Sequence, residues 1–219
     1  MELANKTINF LGDSITEGVG TSAEENIYLN IIKEKYGLKA VNNYGISGTR
    51  YAKQKIPSDN PRWDENFPSR VDKMDKNADI VVVFGGVNDF AHGDARIGNI
   101  SDRTESTFYG ACHVLYRKLI ETFLGKPIII VTPLHCEYED CLRGEGHKTS
   151  DYYPLSEYVK TIKEVAGIYA LPVCDLNAIS GIQPKIPKIK EAFVPDGIHP
   201  NDEGHKIIAE RLGSFLRNL

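Results

Sequence analysis

Five short, mostly apolar runs recur along the chain, at residues 7–11, 40–44, 80–84, 128–132 and 171–175. Longer segments with apolar residues at helical spacing lie between them. Runs this short, bounded by turn residues, fit strands covered on both faces, and their alternation with amphipathic segments predicts an α/β fold with a parallel sheet between two layers of helices. Between the first two runs, Ile27, Ile31, Ile32 and Tyr36 share one face of a helix over 24–36, and Gly37 is a natural terminator. A second helix is predicted over 104–124, with Phe108, Ala111, Leu115, Leu119 and Phe123 as its buried stripe and Gly125 and Pro127 closing it. A short helix is expected over 70–77 and a further helix over 154–170, and a last one starts at Pro200, Asn201 or Asp202 and runs through Leu216.

The aperiodic stretches are as informative. After the second run comes Gly45-Ile46-Ser47-Gly48-Thr49-Arg50-Tyr51, then a polar loop over 52–68 punctuated by Pro57, Pro61 and Pro68 and carrying the only tryptophan, Trp63. Long loops inside compact domains usually have a functional job, so this one is a candidate wall of a site. A second loop spans 135–151, and 177–193 reads as a loop broken by Pro184 and Pro187. Without repeats, low-complexity tracts or a linker, residues 1–219 are read as one domain.

Composition narrows the function classes. Hydrophobic residues at 41% and charged residues at 26% describe an ordinary globular protein, and a net charge of -4 gives no global attraction to nucleic acid or to an anionic membrane. No apolar stretch reaches membrane-spanning length, and the start lacks a basic region followed by a long apolar segment. The expectation is a cytoplasmic protein without membrane insertion. Cys112, Cys136, Cys141 and Cys174 are irregularly spaced and read as reduced, mostly buried thiols. His135, Cys136, Cys141 and His147 invite a zinc reading, but a tight Cys-x-x-Cys hook is missing, so no metal is expected. His92, His113 and His205 are assigned no special role.

In a doubly wound sheet the segments following the strands lie along one edge. Ser14, Gly48, Asn88 and His135 follow the first four strands and are therefore expected to converge. Asp196 and His199 precede the last helix, and their i, i+3 spacing suits a side-chain hydrogen bond. An aspartate bound to one imidazole nitrogen leaves the other free to take a proton from a serine. Acyl transfer also needs donors aimed at a developing oxyanion; the backbone N–H groups of Ser14 and Gly48 and the amide of Asn88 can form that set. Each residue has a plainer reading: Asp13 or Ser14 as a helix N-cap, Gly48 as a turn glycine, Asn88 and Asp89 as a cap, Asp196 and His199 as the polar start of a helix.

Four blocks occur in order, Gly12-Asp13-Ser14, Ser47-Gly48-Thr49, Gly86-Val87-Asn88-Asp89 and Asp196-Gly197-Ile198-His199. In these the sequence resembles the SGNH hydrolases of the GDSL esterase and lipase superfamily. The resemblance implies a three-layer α/β/α, flavodoxin-like sandwich with a five-stranded parallel sheet. It also implies Ser14 as nucleophile, His199 as base, Asp196 as its orienter, and Ser14, Gly48 and Asn88 as oxyanion donors. Gly45 competes with Gly48 for that role, and the Ser-Gly-Thr context favours Gly48. The substrate pocket is expected to be lined by Asp13, Thr49, Tyr51, Trp63, Phe90 and His135, with Asp13 also supporting the turn under Ser14. The expected reaction is hydrolysis of a small-molecule carboxylic ester without metal or organic cofactor. The mixed aromatic and polar walls favour a short acyl group on a carbohydrate; the resemblance also allows lysophospholipid, thioester and aryl-ester substrates. Two other classes compete. A nucleotide-binding module would need a phosphate cradle after the first strand, where Asp13 and Glu17 repel phosphate. A non-catalytic carbohydrate-binding descendant is at odds with the intact Ser14, Asp196 and His199.

Overall fold

The computed structural model describes residues 1–141 and 153–219. Five parallel strands, β1 (Thr7–Gly12), β2 (Ala40–Gly45), β3 (Ile80–Phe84), β4 (Ile128–Val131) and β5 (Val173–Cys174), form one sheet in the order β2-β1-β3-β4-β5. Side chains alternate across the sheet as the strand period demands. Ile8, Phe10, Ile80, Val82, Ile129 and Val131 pack toward α2 (Tyr28–Tyr36) and α9 (Asp202–Arg217), while Leu11, Val81, Val83, Ile128 and Ile130 pack toward α5 (Phe108–Thr122) and α6 (Leu155–Ile168). The expected three-layer α/β/α architecture is therefore present. Among the described residues no helix is long and apolar enough to cross a membrane.

The expected boundaries shift where a local bond outcompetes periodicity. The fifth strand, expected over 171–175, is confined to Val173–Cys174 because, among the described residues, this edge strand pairs only with β4, and Asp175 leaves the ladder to cap Ala178 N at the start of α7 (Leu176–Ile179). The helix expected over 24–36 breaks at Ile27, which is extended (φ -67°, ψ 134°), into a 3-10 turn, Glu24–Asn26, and α2. The first amide of α2, Tyr28 N, donates to His205 Nδ1 at 3.1 Å, so an imidazole from α9 takes the place of a Ser or Asp cap. The helix expected over 70–77 begins earlier, as α3 (Phe67–Arg70) with Pro68 in its first turn, and continues as a 3-10 turn over Val71–Lys73. The stretch 177–193, expected to be loop, contains α8 (Pro187–Phe193); Pro187 starts that helix rather than breaking it. Two further short helices, α1 (Ser14–Glu17) and α4 (Val87–Ala91), leave directly from the ends of β1 and β3 and carry Ser14 and Asn88.

Candidate active site

Ser14 is the first residue of α1, and Asp13 is its N-cap, with Oδ1 accepting from Ile15 N at 3.1 Å. The plain reading of Asp13 as a cap is thus correct. Its other oxygen, Oδ2, is buried without a hydrogen-bond partner among the described residues, and burial raises the carboxyl pKa to about 6 against the opposing Ile15 N–H, His199 and Arg70.

The segment before α9 crosses the end of β1 and brings His199 to Ser14. Asp196 Oδ1 accepts from Ile198 N (2.9 Å) and His199 N (2.7 Å), while Oδ2 accepts from His199 Nδ1 at 2.7 Å. Partial burial disfavours the Asp196 carboxylate, but these three donors together hold its pKa below the ordinary value. With Nδ1 donating to Asp196, His199 Nε2 is an acceptor, and Ser14 Oγ donates to it at 3.0 Å. This chain of bonds can move a proton from a serine to an imidazole whose charge the carboxylate stabilises. Residues 185 apart in sequence are joined in it.

The loop after β2 is clamped at four points. Glu17, at the last position of α1, accepts from both N and Oγ of Ser47, and despite burial these bonds lower its pKa. Arg70, 2% exposed at the end of α3, donates to Gly12 O twice (3.1 Å), to Tyr44 O (2.7 Å) and to Thr49 Oγ1 (2.9 Å). One buried cation therefore staples the ends of β1 and β2 to the loop. Asp89 on α4 accepts from Tyr51 N and Ala52 N, both at 2.9 Å, and its neighbour Asn88 donates from Nδ2 to Thr49 O at 3.0 Å. Gly48 lies between the clamps at φ +74°, and a Cβ there would fall 2.7 Å from Cγ of Trp63, whose indole covers the loop. Only glycine fits that backbone beneath the ring.

Ser14, Gly48, Asn88 and His199 meet at a pocket of about 290 Å³, with Val19, Trp63, Val87, Ala91, Tyr138 and Ile198 as its apolar walls. Of the expected wall residues, Trp63 is in place. Thr49, Tyr51 and Phe90 are not: each is at most 1% exposed. Thr49 is turned inward to Arg70 and to Ile46 O, and Tyr51 stacks on Phe67 in the core. Helical periodicity explains Phe90: α4 presents Val87, Asn88 and Ala91, with His92 at its C-cap, to the pocket and turns Phe90 back against Tyr138 and Tyr158. Asp13 and His135 line a separate, smaller cavity under Ile198. His135 donates from Nδ1 to Glu139 at 2.6 Å, Cys136 is buried, Cys141 is exposed, and His147 lies outside the described residues.

Arg70, Glu17, Tyr138 and His92 were not singled out as site residues from the sequence. Glu17 carried a local signal, standing three residues after Ser14 in one helical turn, and His92 stands at i+4 from Asn88. The expectation that His92 has no special role is corrected by its place in the pocket and its 3.0 Å contact with Asn88 Oδ1. His113 and His205 stay outside the pocket, the first hydrogen-bonded to Tyr169 and Ile100 O and the second capping α2.

The profile of the GDSL-like Lipase/Acylhydrolase family matches residues 10–207. No curated protein sequence matches the chain. Among solved structures, a Lactobacillus plantarum protein is 27% identical, with 98% of each chain covered and a TM-score of 0.83. An acetyl xylan esterase is 20% identical over 96% of this chain and 99% of its own, with a TM-score of 0.64. A two-domain esterase active on acetylated mannans is 21% identical over 97% of this chain and 48% of its own, with a TM-score of 0.61.

Proposed function

Because the chain belongs to the GDSL-like Lipase/Acylhydrolase family, and is on that ground a carboxylic ester hydrolase, we propose that it removes a short acyl group, acetyl foremost, from a carbohydrate through Ser14, His199 and Asp196. The observation that carries the reading is the bonded chain Ser14 Oγ to His199 Nε2 (3.0 Å) and His199 Nδ1 to Asp196 Oδ2 (2.7 Å) at the mouth of the pocket.

In the proposed mechanism Ser14 Oγ attacks the ester carbonyl carbon as His199 Nε2 takes its proton. The carbonyl oxygen becomes an oxyanion between Ser14 N, Gly48 N and Asn88 Nδ2. Asn88 uses one amide hydrogen on Thr49 O, which leaves the second for this charge. His199 then passes its proton to the leaving alcohol oxygen, and the carbonyl re-forms as an acyl-enzyme. Water, deprotonated by the same imidazole, hydrolyses it and restores the serine.

Pocket size supports a short acyl group. At about 290 Å³ it stands at the lower end of the roughly 300–1,000 Å³ usual for small-molecule sites. Trp63, 37% exposed, offers a ring face on which a sugar can stack. The fold likeness to esterases acting on acetylated polysaccharides agrees with that substrate class. The test is a chain-length series of p-nitrophenyl esters beside acetylated xylan oligomers, with Ser14→Ala as control. Acetate release from the oligomers, little activity beyond butyrate and a dead Ser14→Ala are expected. Rates that climb toward long chains would refute the substrate assignment; an active Ser14→Ala would refute the nucleophile.

A further inference from the structure

Asn88 is held at both ends of its side-chain amide. Nδ2 donates to Thr49 O at 3.0 Å, and Oδ1 lies 3.0 Å from His92 Nε2. An amide oxygen only accepts, so His92 Nε2 carries the hydrogen. The other side of the ring reaches the same answer independently. Arg50 Nη2 lies 2.9 Å from His92 Nδ1, and a guanidinium donates, never accepts, and stays charged. Nδ1 therefore accepts from Arg50, and the ring is neutral with its hydrogen on Nε2.

Arg50 is itself fixed from the 52–68 loop. It is 3% exposed, stands 3.6 Å from Asp64 Oδ1 and donates to Ser58 Oγ at 3.2 Å. Ser58 in turn donates to Asp64 from N (2.9 Å) and Oγ (2.7 Å). Arg50 thus donates both to the loop at Ser58 and to His92, and from Arg50 the donor-to-acceptor order continues through His92 to Asn88.

A carboxamide has two orientations of nearly the same shape. In the reversed one, oxygen instead of nitrogen faces the forming oxyanion, and attraction becomes repulsion. Resting on the esterase reading above, we propose that His92 is a positioning residue for the oxyanion hole. Arg50 holds it as the Nε2–H tautomer, and that N–H fixes the Asn88 amide with its nitrogen toward the pocket. The loop carrying Trp63 thereby sets the geometry of a donor on a different element.

Two substitutions divide the ring's two functions. His92→Asn keeps an oxygen near the Nδ1 position to accept from Arg50 but falls short of Asn88; His92→Gln places an amide nitrogen near the Nε2 position. With p-nitrophenyl acetate, His92→Asn is expected to lose roughly 10- to 10²-fold in kcat at nearly unchanged KM, the scale of a misplaced catalytic group. His92→Gln is expected to recover most of it. Asn88→Ala should lose about 10²–10³ in kcat, with no further loss when His92→Asn is added. Wild-type kcat in His92→Asn, equal losses in both variants, or a change confined to KM would overturn the proposal. A second readout needs no active variant. The ring ¹⁵N signals of His92 in the wild-type protein, identified by their absence from His92→Gln, should show Nε2 protonated and Nδ1 bare. The reverse tautomer or a charged ring would overturn it. Failure of the esterase reading is a separate event, seen as hydrolysis surviving Ser14→Ala.

Discussion

Replacing Arg70 by methionine deletes four hydrogen bonds from beneath the site while keeping much of the aliphatic stem packed against Phe67, over whose ring the guanidinium carbon stands 4.6 Å from the centroid. Gly12 O still accepts from Ile46 N at 3.2 Å, and Thr49 Oγ1 still donates to Ile46 O at 2.7 Å. Tyr44 O, a part-buried acceptor, loses its 2.7 Å donor, at about 1–3 kcal/mol. Asp13 also loses a cation that helps to keep it ionised, and its pKa rises further. Together with the lost cation–π contact the cost comes to about 3 kcal/mol, the low end of the range for removing one member of a buried charge network. For a chain of this size that is a fall in Tm of about 6–12 °C. Glu17 and Asp89 still hold the loop, so the enzyme folds, but Gly48 and the end of β1 lose their common anchor, and kcat for p-nitrophenyl acetate should drop about tenfold. Arg70→Lys should recover less than half of either loss, since a single ammonium cannot reach three separated acceptors. Calorimetric melts at pH 7 and initial rates read both quantities. A Tm within about 2 °C of wild type with unchanged kcat would refute the staple.

Further outcomes follow from the same contacts. Gly48→Ala puts a methyl at φ +74° into the indole of Trp63; we expect about 1–3 kcal/mol of destabilisation, a large loss of kcat, and a red-shifted emission from the only tryptophan, with unshifted fluorescence counting against the close contact. Two buried titrations oppose each other. Burial lowers the His205 pKa from 6.5 to about 4, which favours the neutral ring in the fold, so stability present above pH 6.5 is lost as pH falls toward 4, by up to about 3 kcal/mol. Burial raises the Asp13 pKa from 3.8 to about 6, so over nearly the same window the folded state gains stability as pH falls, by a similar amount. Asp13→Asn should unmask the histidine and make urea midpoints drop steeply between pH 6.5 and 4, whereas a variant profile as flat as wild type would contradict the pairing. Glu17→Gln should lower kcat several-fold by loosening Ser47, read against an unchanged Tm within about 3 °C; full activity would remove Glu17 from the clamps.

The sheet was legible because burial on both faces leaves a run of apolar residues no alternative, as in Ile128–Val131. β5 was legible only in part, since an edge strand next to Pro172 is defined by its one partner rather than by composition. Of the proposed constellation, Ser14, Gly48 and Asn88 were legible because they follow successive strand ends that parallel topology brings together, whereas Asp196 and His199, which follow α8, were legible only from their i, i+3 spacing and the block they form. The walls were legible only at Trp63: whether Phe90 or Ala91 faces the pocket depends on the rotation of a helix of five residues, and Tyr51 stands inside the core although its neighbours edge the site. Arg70 stayed hidden for a different reason. A charged residue after Pro68-Ser69 reads as surface, and nothing local announces that three acceptors from distant segments converge on it.

The bond between Ser14 and His199 spans 185 residues, which gives the site a place in time as well as in space. At synthesis rates of about 5–20 residues per second, roughly 10–40 s separate the emergence of the nucleophile from that of its base. During that interval the serine lacks the His199 imidazole that would take its proton. On the proposed mechanism the nascent chain is therefore chemically silent toward esters until α9 has docked against α2.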